Sequence, residues 1–119
     1  MNTKAVLTSY IQCALWSSVD DDGSPLDKNY SEEDLAPETI EKMTEDVTKF
    51  AKAAKDPIIE SGMSESDLGH NFWLTRNGHG TGFWDRGLEK SVSDDLCKIC
   101  DKFGTADLYI GDDGKIYIQ

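Results

Sequence analysis

Between residues 3 and 17, Val6, Leu7, Tyr10, Ile11, Ala14 and Leu15 recur at intervals of three and four, which lines one side of an α-helix. The acidic run Asp20-Asp21-Asp22-Gly23, with Ser24-Pro25 behind it, ends that helix and opens a turn-rich connection to Tyr30. Ser31-Glu32-Glu33-Asp34 has the spacing of a capping box, with Asp where Glu or Gln is usual, and predicts one short helical turn. The cleanest helical stripe follows Pro37, through Ile40, Met43, Val47, Phe50, Ala51 and Ala54. Glu38, Glu41 and Glu45 load its start with acid and Lys49, Lys52 and Lys55 its end with base, both favourable to the helix dipole. Pro57 predicts its end, because the ring removes a donor and disfavours helix in the preceding residue.

The pattern changes after Ile58. Residues 58 to 69 read as a connection with one helical turn at Ser64-Glu65-Ser66-Asp67-Leu68. Phe72 to Arg76 is aromatic and β-branched enough for a strand, and Asn77-Gly78 is a favoured hairpin pair because both central positions take φ > 0. Gly80 and Gly82 then loosen a return arm that ends near Trp84. Ser91 or Ser93 caps a further helix with the stripe Val92, Leu96, Ile99, Cys100 and Phe103, stopped by Gly104. Alternation on either side of Gly111-Asp112-Asp113-Gly114 predicts a second hairpin, with Leu108, Ile110, Ile116 and Ile118 on one face and Tyr109 and Tyr117 on the other. The order helix, helix, hairpin, helix, hairpin predicts an α+β fold: a small antiparallel sheet of three to four strands with about three helices packed on one face.

At 119 residues the chain suits a single domain, residues 1–119. No apolar run approaches the roughly 18 residues of a membrane span, and the opening residues lack the zones of a signal peptide, so a cytosolic chain is expected. Three cysteines, an odd number, do not make a secreted disulfide framework. The net charge of −11 is uneven: residues 1–68 carry 15 acidic and 6 basic side chains, residues 69–119 carry 8 and 6. Such a field attracts basic surfaces and repels nucleic-acid backbones, which disfavours direct nucleic-acid binding unless a local patch escapes it.

Chemistry-bearing residues crowd between Gly69 and Gly87, where two of three tryptophans, both histidines, both arginines and five of ten glycines fall. Cys97 and Cys100 could give a zinc ion two thiolates, with His70 and His79 as further ligands. Core packing is the better reading, since Cys100 lies on an apolar helical stripe and the histidine spacing is wide for a zinc site. Neither acidic glycine turn fits a calcium loop: with Gly23 at the sixth position, Asn29 falls where a bidentate Glu is needed. His70, His79, Arg76, Arg86, Asp67 and Asp85 include an acid, a base and an anion clamp, but no nucleophile elbow or phosphate loop accompanies them. The scaffold reading has Trp73, Phe83 and Trp84 packing the sheet while Asp85 pairs with Arg86 or Arg76.

The stretch from Gly69-His70-Asn71-Phe72-Trp73-Leu74 to Gly82-Phe83-Trp84-Asp85-Arg86-Gly87 resembles a family of small acidic proteins encoded by tailed bacteriophages. The resemblance extends to residues 10–18, to Leu35-Ala36-Pro37-Glu38-Thr39 and to residues 107–114. It implies no assigned activity and so no catalytic residue, and the Cys97 and Cys100 pair is outside the shared pattern; no cofactor is expected. The expectation is an accessory protein in the cytoplasm of an infected bacterium that binds and modulates a host or phage protein with a basic surface, such as a nucleic-acid-handling one. The alternative is a small enzyme or ligand-binding module using the His/Arg/Trp hairpin. The candidate binding residues are His70, Trp73, Arg76, His79, Trp84, Asp85 and Arg86 in the glycine-rich stretch, with Glu38, Glu41 and Glu45 on the acidic helix. Oligomeric state stays open.

Overall fold

The computed structural model describes residues 1–78 and 80–119. Its first helix, α1 (Thr3–Ser17), is started by Asn2, whose side-chain oxygen accepts from the backbone N–H groups of Lys4 and Ala5. A short α2 (Leu26–Asn29) precedes the capping box at Ser31 and Asp34, which forms as the sequence implies and opens one 3₁₀ turn, Glu32–Asp34. Pro37 then occupies the first turn of α3 (Pro37–Ala53), whose buried side takes in Met43, Val47, Phe50 and Ala51. Ile40, the first member of the expected stripe, stands 41% exposed. The chain leaves α3 at Ala54 and re-enters helix at once as α4 (Lys55–Ser61), with Pro57 in the first turn, where its missing N–H leaves no intrahelical bond unmade. Pro57 therefore breaks one long helix into two without ending helical structure.

The largest departure from expectation lies at residues 65–77, which form the helix α5 (Glu65–Asn77) and not a strand. Ser64 caps its start by accepting from the Asp67 N–H, and Gly78, at φ 62°, closes its end in the left-handed conformation. Asn77-Gly78 thus carries a positive-φ glycine as the sequence suggests, but as a helix stop and not as a hairpin tip. After a 3₁₀ turn at Phe83–Asp85 comes α6 (Lys90–Asp101), which starts one residue after Glu89, ahead of both serines expected to cap it.

Two short strands, β1 (Leu108–Ile110) and β2 (Ile116–Ile118), pair antiparallel with Tyr109 opposite Tyr117. The expected three-to-four-stranded sheet is therefore overturned: among the described residues there are six helices and one two-stranded hairpin. The reason is burial. Phe72, Trp73, Leu74, Thr75 and Arg76 are five consecutive buried residues, and an element covered on all sides shows no periodicity by which a strand and a helix can be told apart.

Helix α5 occupies the centre and packs most extensively on α1. Their close approach is set by Gly69, where an added Cβ would lie 2.2 Å from the Val6 carbonyl oxygen and 2.7 Å from the Tyr10 nitrogen. An aromatic row runs through the middle: Tyr10 on Phe72 at 4.9 Å between ring centres, Phe72 on Phe50 at 4.2 Å, Phe50 on Phe83 at 6.1 Å. The hairpin docks on the start of α3, where the Ile116 carbonyl accepts from both the Ala36 N–H and the Thr39 hydroxyl. No helix of the described residues is long and apolar enough to cross a membrane.

Candidate functional site

The helical form of residues 65–77 redistributes the side chains that a hairpin would have gathered. Trp73 is buried, its ring edge-on to Tyr10 at 5.4 Å, and its indole N–H donates to the Ser17 hydroxyl at 2.8 Å. Arg76, one helical turn on, is also buried and spends its guanidinium inside the protein. Its Nη1 donates to Asp46 Oδ2 at 2.9 Å and to the Tyr10 hydroxyl at 2.8 Å; its Nε and Nη2 donate to the carbonyls of Gly104 and Phe103. Asp46 in turn accepts from Lys42 at 3.0 Å. Burial pushes the Tyr10 hydroxyl up from its ordinary range, so it stays a neutral phenol. This network ties α1, α3, α5 and the end of α6 together, and it leaves Arg76 unable to act as an anion clamp.

Asp85 is not paired with either arginine; it accepts from the Thr81 hydroxyl at 3.2 Å. Trp84 is 48% exposed and packs no sheet. Arg86 is exposed, and its Nε donates at 2.7 Å to Asn71 Oδ1 on buried α5, where Asn71 is itself anchored by its Nδ2 donating to the Asp67 carbonyl. His79 lies outside the described residues.

What the fold does bring together centres on His70. Its ring lies 5.8 Å from that of Trp16, an exposed residue of α1 that sequence reasoning passed over because it falls off the apolar stripe. His70 borders two open clefts: one of about 410 Å³ lined with Trp16, Cys13 and Asp27 among others, the other of about 510 Å³ lined with Asp67, Asn71 and Arg86. Partial burial, and then the nearby Arg86 charge, hold the imidazole below its ordinary pKa, with Asp67 opposing. Burial pushes the Cys13 thiol up to about 12, with Arg86 pulling the other way. Both shifts favour the uncharged forms of these two groups, a neutral imidazole and a thiol in place of a thiolate.

Cys100 is buried on α6 and Cys97 half-buried beside it, and burial is the first cause raising both thiols. Among the described residues no group of three or more His, Cys, Asp and Glu side chains is placed to hold a metal ion. Glu38, Glu41 and Glu45 are exposed along α3. Glu45 accepts from Lys49 one turn later at 2.7 Å, and the lysine beside it holds its carboxyl below the usual range. The residue that sequence reasoning missed outright is Asp46. Its signal was a carboxylate between Met43 and Phe50 on the apolar stripe, a position that only a buried cation makes tolerable.

Comparison of the chain with protein-family models, with curated proteins and with solved structures gave no match.

Proposed function

We propose that this chain is a non-enzymatic accessory protein of a tailed bacteriophage, working in the infected cell by binding a host or phage protein through a basic surface of that partner. The observation that carries the reading is how the acid is disposed. Of the 15 acidic side chains in residues 1–68, ion pairs among the described residues engage only Asp46 and Glu45. Most of the others stand exposed, including Glu38 and Glu41 on the outer side of α3. Unneutralised surface charge of one sign accelerates encounter with a surface of the other sign and weakens with salt. The same field turns nucleic acid away, so a nucleic-acid-handling protein would be met on its basic groove. The groups that could have made residues 69–87 a reaction centre support this reading too, since Arg76 and Trp73 are held inside the core.

Affinity capture from infected-cell lysate with mass spectrometry tests the proposal. The wild-type chain should retain a saturable partner that is released by salt. The triple variant Glu38→Lys, Glu41→Lys, Glu45→Lys changes charge by two units at each position, moving the net from −11 to −5, and should lose it. Capture indifferent to both salt and reversal would refute the electrostatic reading. A second reading, a ligand-binding module built on residues 69–87, has one observation in its favour: His70 opens on two clefts with Arg86 at the border of one. Capture that survives the reversal and fails on His70→Ala would favour it.

A further inference from the structure

Four of the chain's twelve cationic side chains line one groove where α3 meets the end of α6. Lys42, Lys49 and Lys102 border an opening of about 460 Å³ whose apolar wall is Ala53, Ile99 and Phe103. Lys42, Asp46 and Phe103 are shared with an adjoining opening of about 200 Å³ that Arg76 also lines. In a chain of net charge −11 this is the reverse of the average surface. The acidic side chain that lines both openings, Asp46, is already met by Arg76 at 2.9 Å and by Lys42 at 3.0 Å.

The cations retain capacity for a ligand. An ammonium has three donors, so Lys42 and Lys49, each with one carboxylate partner, keep two apiece. Lys102 makes no ion pair among the described residues. Lys42 is held in place by a buried carboxylate that is itself fixed by Arg76, which lowers the ordering cost of using it. Phe103 is likewise fixed, edge-on to Phe72 at 5.0 Å between ring centres, with the Arg76 guanidinium carbon 5.7 Å from its own.

We propose that this groove binds a mononucleotide, with the phosphate on Lys42, Lys49 and Lys102 and the base against Phe103 and Ile99. The larger opening falls within the range of small-molecule sites, roughly 300 to 1,000 Å³, and flat bases stack on aromatic walls. Glu45, paired with Lys49 at 2.7 Å, stands at the rim of the groove, and with Glu38 and Glu41 on the same helix it repels a long polyanion laid across α3.

Calorimetric titration of the full chain with AMP, beside adenosine and inorganic phosphate, tests the site. AMP should bind saturably and about tenfold or more tighter than either fragment, since both the charge and the stacking are needed. The double variant Lys49→Glu, Lys102→Glu should lose about tenfold or more of that affinity while melting near the wild-type temperature, because both side chains are exposed. Absence of saturation at millimolar AMP, or unchanged affinity in the double variant, would overturn the site. Phosphate binding as tightly as AMP would overturn the role given to Phe103, and an oligonucleotide outcompeting AMP would overturn the small-ligand assignment.

Discussion

Removing the Asp46 carboxylate is the sharpest test of how this chain is held together. Asp46→Ala leaves the Arg76 guanidinium, whose side chain is 4% exposed, without its anionic partner, while its hydrogen bonds to Tyr10, Phe103 and Gly104 stay in place. Breaking a buried ion pair from one side costs about 3 to 5 kcal/mol, against a total stability of about 5 to 15 kcal/mol for an ordinary domain. A domain of this size melts roughly 4 °C lower for each kcal/mol lost, so the variant should melt about 12 to 20 °C below wild type. Urea titration followed by tryptophan fluorescence gives the free energy, with buried Trp73 as the reporter beside Tyr10. Arg76→Leu should cost a similar amount, and the double variant distinctly less than the two together, by more than about 1 kcal/mol. A loss below about 1 kcal/mol for Asp46→Ala, or strict additivity, would refute the pair as a structural tie and return Arg76 to the list of groups free to bind something.

At the crossing of α1 and α5, Gly69→Ala places a methyl group against backbone atoms of Val6 and Tyr10. It should cost more than about 3 kcal/mol by denaturant titration, whereas Gly23→Ala, with open space around it, should cost about 1 kcal/mol from its positive φ alone. Because the folded protein holds the His70 pKa below the ordinary 6.5, the unfolded chain takes up more protons near that pH. Stability should therefore be unaffected by this group above pH 6.5 and decline as pH falls through and below it, and His70→Gln should flatten that slope in melting curves at stepped pH. Cys97 and Cys100 should bind less than one equivalent of zinc by elemental analysis, and chelator should leave the circular dichroism unchanged.

Among the helices legible from the chain, α3 and α6 have the clearest division into a wet and a dry side. Helices α1 and α3, the Ser31 to Asp34 capping box and the Leu108 to Ile118 hairpin each carry their own periodicity or cap, which no tertiary partner needs to supply. Reading residues 72–76 as a strand followed from the unbroken burial of that half of α5, and the whole sheet architecture was lost with it. For the candidate site, the amino-acid order shows that His70, Arg76 and Arg86 are unusual but not that Arg76 is lost to the core while His70 and Arg86 border one cleft.

The sign of the surface charge follows from composition alone. An excess of carboxylates in residues 1–68 stays on the surface under almost any fold, because each one buried would need its own cation, and only Asp46 is buried, against Arg76. Tertiary structure decided which distant side chains meet. Tyr10, Asp46 and Arg76 are separated by 30 residues or more, and so are Lys49 and Lys102; their encounters depend on helix packing angles that local propensity does not encode. The acidic exterior was therefore legible in advance, while the buried arginine and the lysine-lined groove exist only once α3, α5 and α6 have packed.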